Sequence, residues 1–160
     1  MLARNLALVM TACAVSSAFA QTPLERGAYL VKGPAHCGHC HTQPAAGSPE
    51  LAGGMRFAEL AYTSIAANLT PDPETGVTNW TEENLINGMR NGKKPRGATM
   101  APPMPYRSYA GLSDDDAKAI VAYLRSLKPV VNKTARSAFR TPPPDSWGPE
   151  VKSVPPVSED

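Results

Sequence analysis

Aromatic side chains make up only 6% of this 160-residue chain, which has three histidines and three cysteines. So few large rings leave a core short of the side chains that usually fill it. The 17 prolines and 12 glycines imply long loops between modest helices, so something besides side-chain packing is expected to complete the core. Also missing is any apolar run long enough to span a bilayer; the longest, at 6–15, falls well short. Sustained alternation of apolar and polar residues is absent too, so strands are not expected. No internal repeat is seen, and the length suits one ordinary domain.

The short apolar stretch follows Arg4 and precedes Ala18-Phe19-Ala20, the small-x-small pattern of a signal-peptidase site. Residues 1–20 therefore read as a secretory leader, with the mature chain starting at Gln21 and exported to the periplasm. Lipid attachment at Cys13 is a minor alternative, since the residues before it fit a lipoprotein site poorly. Losing Arg4 lowers the formal net charge from +2 to +1, which argues against nucleic acid as a partner. Two cysteines then remain, both inside Cys37-Gly38-His39-Cys40-His41, so no distant disulfide is available.

Three helix starts are legible. Thr22-Pro23-Leu24-Glu25 combines an N-cap, a proline at the first helical position and a glutamate placed to close a capping box, with an end expected at Gly33-Pro34. Thr81, followed by Glu82 and Glu83, opens a second helix that presents Leu85, Ile86 and Met89 before Gly92. Ser113 and three aspartates open a third, with Ala117, Ile120, Val121, Leu124 and Leu127 at helical spacing before Pro129. The expected class is all-α, with residues 42–79 and 92–111 as long ordered loops. The domain is expected over 21–132, and a proline-rich tail over 133–160, disordered or wrapped on the domain.

Cys-x-x-Cys-His at 37–41 is the pattern for covalent haem attachment: two thiols at this spacing reach the two vinyl groups while the adjacent imidazole meets the iron. Cys-Gly-His-Cys is also the tetrad of disulfide exchangers, but a thioredoxin-like fold wants a strand before the first cysteine, and Gly33-Pro34-Ala35-His36 stands there instead. A zinc site would need further Cys or His ligands that the chain lacks. Since all three histidines lie within 36–41, the second iron ligand falls to a methionine. Met89 belongs to an apolar helix face and Met55 lies early in a Gly-rich loop, which leaves Met100 and Met104. Met104, with proline on both sides, is favoured, because prolines stiffen the segment and remove backbone donors that would be awkward against a haem face. His36 and His39 read as spacers. Lys93, Lys94 and Arg96 form a basic cluster that either docks an acidic partner or is simply solvated. Arg56, Asn68 and Trp80 are candidates for bonding the haem carboxylates or for ordering the loops.

Over about 24–131 the chain resembles class I c-type cytochromes, more narrowly the cytochrome subunits of periplasmic dehydrogenases of the alcohol dehydrogenase type. The resemblance is carried by Arg26-Gly27-Ala28-Tyr29-Leu30-Val31, the Cys37–His41 motif, Leu51-Ala52-Gly53-Gly54, Asn68-Leu69-Thr70-Pro71-Asp72-Pro73-Glu74-Thr75-Gly76, Pro103-Met104-Pro105-Tyr106 and Leu112-Ser113-Asp114, with Ala122-Tyr123-Leu124-Arg125-Ser126-Leu127 closing it. It implies Met104 as the axial methionine, a first helix packed across the last, and a haem edge left partly open. Many relatives carry two or three haem motifs and this chain one; some have Pro-Arg where this chain has Gln43-Pro44.

The expectation is a single-haem, one-electron carrier rather than an enzyme, with Cys37 and Cys40 holding haem c and His41 and Met104 as iron ligands. Electrons would enter from a periplasmic dehydrogenase and leave to another cytochrome or a terminal oxidase. A haem enzyme or ligand sensor with a displaceable Met104 is the main rival, and the disulfide exchanger the lesser one.

Overall fold

The computed structural model describes residues 21–59, 62–101 and 103–139. The leader expected at 1–20 and the proline-rich stretch from 140 onward lie outside them.

Helix α1 (Pro23–Lys32) forms where the local chemistry asks for it. Glu25 N–H donates to Thr22 Oγ1 at 3.2 Å, and Thr22 N–H donates back to Glu25 Oε2 at 2.9 Å, so the capping box is closed. Helix α2 is the single turn Cys37–His41. Helix α3 (Glu82–Asn91) repeats the box with Thr81 and Asn84 and ends at Gly92, at φ 65°. A side chain there would also run into Tyr106, whose ring lies 2.6 Å from where a Cβ would stand. Helix α4 (Tyr106–Tyr109) is one turn, and α5 (Asp114–Ser126) is capped by the Ser113 hydroxyl, with three aspartates in its first turn.

Helix α5 lies across α1. The crossing is close because Gly27 has no side chain: a Cβ there would sit 2.0 Å from the Ala119 carbonyl oxygen. Around it Leu30, Val31, Leu51, Ile120, Tyr123 and Leu124 form the main core cluster. A second cluster of Val77, Leu85 and Val121 joins it through the adjacent residues Ile120 and Val121 of α5. Full burial of each such aliphatic chain contributes about 1.5–3 kcal/mol. Arg26 and Asp116 tie the two helices at 2.7 and 3.1 Å, and Arg90 pins α3 to Asp114 at 2.7 Å.

A small antiparallel sheet also forms, which the sequence reading did not expect. It has the order β1 (Arg56–Ala58), β2 (Tyr62–Ile65), β3 (Ala138–Phe139). Phe57 pairs with Ser64, and Thr63 with Ala138. Such short strands carry no readable alternation, and β3 comes from the segment that the sequence reading assigned to the tail. The chain reaches β3 along a fastened path. Val130 O accepts from Asn68 Nδ2 at 2.8 Å, Asn132 N–H donates to Thr75 Oγ1 at 3.0 Å, and Asn132 Nδ2 donates to the Ala52 carbonyl at 2.8 Å.

Candidate functional site

The elements leave a cleft of about 410 Å³ between them, within the roughly 300–1,000 Å³ usual for small-molecule and cofactor sites. Its walls are mainly apolar, and many of them are core residues: Leu69, Val77, Leu85, Ile120, Val121 and Leu124. Cys37, Cys40, His41, Met100 and Met104 all line this one cleft.

The motif reaches the cleft through a sharp turn. Ala35 N–H donates to Leu30 O at 2.9 Å, and His36 takes the left-handed conformation at φ 49°, which starts α2 in a new direction. Cys37 and Cys40, three residues apart, then share a helical face. His41 Nδ1 lies 2.7 Å from the Ala67 carbonyl. A carbonyl only accepts, so Nδ1 carries the proton and Nε2 keeps a lone pair. Burial also pushes the imidazole pKa down, against a smaller upward effect of the Ala67 bond, which favours this neutral, ligating form. Burial likewise drives the Cys37 thiol up to about 11, the reverse of an exchange-active thiol.

The two candidate methionines sit differently. Met100 N–H donates to Gly92 O at 2.7 Å, and the Met100 methyl lies against α3, 2.7 Å from where a Gly88 Cβ would stand. Met104 belongs to a tight turn, its N–H donating to Ala101 O at 3.1 Å and its carbonyl accepting from Tyr106 N at 2.9 Å. Met89 lines the cleft and packs on the main core, whereas Met55 is not among the lining residues.

Other candidates separate. Trp80 lines the cleft, but exposed Arg56 does not, and Asn68 is buried with its side chain committed to Thr70, Thr75 and Val130. His36 lines the rim and stands 5.6 Å from His39, both exposed. Of the basic cluster only Lys94 reaches the cleft, half-buried and lowered in pKa by that burial; Lys93 bonds Thr99 and Arg96 is exposed.

Sequence reasoning missed several lining residues. Tyr109 of α4 donates to the Ala35 carbonyl at 2.6 Å, and burial pushes its phenol up to about 12. Ser64 of β2 is 4% exposed, and its hydroxyl finds no partner among the described residues. Thr134, Ala135, Arg136 and Ser137 complete one side of the wall. Each joins the cleft through contacts far along the chain, with no local signal. Among the described residues no group of three or more His, Cys, Asp or Glu gathers as a metal site, and no helix is long and apolar enough to cross a membrane.

Comparison with known proteins identifies the family. The family model for cytochrome c matches residues 24–128. The chain is 39% identical over 108 residues to the cytochrome c subunit of a quinone-type alcohol dehydrogenase from Gluconobacter oxydans (strain 621H), covering 67% of this chain and 22% of that subunit. It is 31% identical over 147 residues to the gluconate 2-dehydrogenase cytochrome c subunit of Pantoea cypripedii, covering 86% of this chain and 33% of that one. It is 36% identical over 108 residues to the fructose dehydrogenase cytochrome subunit of Gluconobacter japonicus, covering 67% and 22%. The chain thus spans a third or less of these relatives' length. With the motif, the cleft and these matches together, the chain belongs to the cytochrome c family, whose members hold covalently attached haem and transfer electrons.

Proposed function

We propose that this chain is an exported carrier of a single haem c, passing one electron at a time from a periplasmic dehydrogenase to a downstream cytochrome or terminal oxidase. The observation that carries the reading is the convergence of Cys37, Cys40, His41 and Met104 on one largely apolar cleft of about 410 Å³. A donor set of two thiols, an imidazole and a thioether fits haem c, and the buried Ser64 hydroxyl, which has no partner among the described residues, is a polar group such a cofactor could engage. The single Cys-x-x-Cys-His motif argues for one haem, although one relative, from Cereibacter sphaeroides, is named a diheme cytochrome.

Bound haem supplies a one-electron iron couple. The residues bind, orient and shield. Cys37 and Cys40 hold the ring covalently, and Ala67 fixes the His41 ring so that Nε2 is free to ligate. Met104 is preferred over Met100, whose methyl end is packed on α3. The apolar wall keeps water from the ring, which with a His/Met pair favours a raised potential. The dehydrogenase donor is suggested by relatives named as alcohol, gluconate and fructose dehydrogenase subunits. A net charge near neutrality gives little long-range steering, so docking would rest on short-range fit.

The test is the visible spectrum of the full chain after export in a host that attaches haem. A c-type reduced spectrum is expected, with the weak far-red methionine–iron band in the oxidised form. Met104→Ala loses that band and Met100→Ala keeps it. Retention in Met104→Ala would move the ligand, and carbon monoxide binding by the reduced wild type would favour a sensor or enzyme. A protein without haem would return Cys37 and Cys40 to the disulfide-exchange reading.

A further inference from the structure

Haem brings two carboxylates to a cleft whose walls are mainly apolar, so wherever one of them is not left to solvent a polar part of the wall has to receive it. The side chains that the sequence offered for this do not all serve: Asn68 is committed within the protein and Arg56 lies outside the lining. A different polar region exists where β2 meets the segment leading to β3. Ser64 lines the cleft, is 4% exposed, and its hydroxyl has no partner among the described residues. A buried hydroxyl left this way is costly unless a ligand completes it.

Beside it runs chain that follows the end of the family match at residue 128. Ile65 N–H donates to Ser137 Oγ at 2.9 Å, which lays residues 134–137 along β2 and brings Arg136 into the lining of the same cleft. A buried hydroxyl donor and an exposed arginine lining one cleft suit a carboxylate, the guanidinium being long enough to turn toward it. We propose that Ser64 and Arg136 form the seat of a haem carboxylate, so that a strap beyond the family module positions the haem and tunes its potential. This rests on the haem reading. Ser64 would donate to a carboxylate oxygen, and Arg136 would offset the carboxylate charge, which favours the reduced state.

The full-length, haem-loaded protein tests this with two pairs of variants. Ser64→Val removes the hydroxyl and Ser64→Thr, which has the same branched shape as Val, keeps it; Arg136→Gln removes the charge and Arg136→Lys keeps it. Ser64→Val and Arg136→Gln should each shift the redox equilibrium toward the oxidised form, Arg136→Gln by up to about tenfold, equivalent to about 59 mV for one electron. Both should displace carboxylate bands in the redox-difference infrared spectrum, while the methionine–iron band stays in place and the conservative variants return to wild type. Unchanged potentials and carboxylate bands in both Ser64→Val and Arg136→Gln overturn the proposal. A change in Arg136→Gln alone overturns the pairing with Ser64. Failure of the wild type to acquire haem is a separate outcome that overturns the reading beneath it.

Discussion

Asn68 is 2% exposed and uses both ends of its side chain. Its amide donates to Val130 O at 2.8 Å and Thr75 Oγ1 at 3.1 Å, and its carbonyl accepts from Thr70 N and Oγ1 at 2.9 and 2.7 Å. Replacing it with alanine orphans buried groups on two loop segments at once. Asn68→Ala should therefore lower stability by about 2–4 kcal/mol, read as a drop in the urea midpoint at unchanged slope. At this scale, the sequence displayed the residues whose chemistry is local: Cys37, Cys40 and His41 form one motif, and Met104 stands between two prolines. Ser64 and Tyr109 were invisible because nothing adjacent marks them. Ser64 matters through its place in a three-stranded sheet, and Tyr109 through a carbonyl 74 residues away. Asn68 was legible as a residue that either bonds haem or orders the loops, and only the folded loops show its side chain spent on the second role.

Helices α1, α3 and α5 were legible because a helix end is written locally: Thr22, Thr81 and Ser113 cap within three residues of themselves. Single turns α2 and α4 and the strands lack such signals and form because neighbours hold them. The crossing of α1 and α5 gives a sharp test. In an exposed helix Gly→Ala stabilises by about 1 kcal/mol. At Gly27 the new methyl would meet the Ala119 carbonyl at 2.0 Å, so Gly27→Ala should instead destabilise by about 3 kcal/mol, visible as a lower thermal midpoint. The ion pair beside it adds a pH dependence. The hydrogen bond from Arg26, with a smaller charge effect, holds the Asp116 carboxyl below its ordinary value, against a modest rise from burial. A folded-state pKa lowered in this way gives stability that is full above the ordinary aspartate value, near about 4, and is lost as pH falls through the folded value. Urea midpoints of wild type and Asp116→Asn should differ at about pH 6 and converge as the pH falls well below the ordinary aspartate value.

At the scale of the whole molecule, the scarcity of aromatic rings and the abundance of proline already implied a core that side chains do not complete. The clusters around α5 explain why. Ile120, Val121 and Leu124 pack on α1 and α3 with part of their surface and line the cleft with the rest, as do Val77 and Leu85. The cleft is thus a face of the core, and whatever fills it belongs to the folding free energy. Attachment makes this testable, because Cys37→Ser with Cys40→Ser exchanges sulfur for oxygen at two positions, a small change in volume although Cys37 packs at the edge of the main core. If haem is the filling, the exported double variant should retain far-UV helical signal from the capped helices. It should also lose near-UV signal, bind a hydrophobic dye, and unfold without a cooperative transition. A double variant with native near-UV signal and a sharp transition would show that α1, α3 and α5 close on one another unaided. The cleft walls would then be surface rather than core.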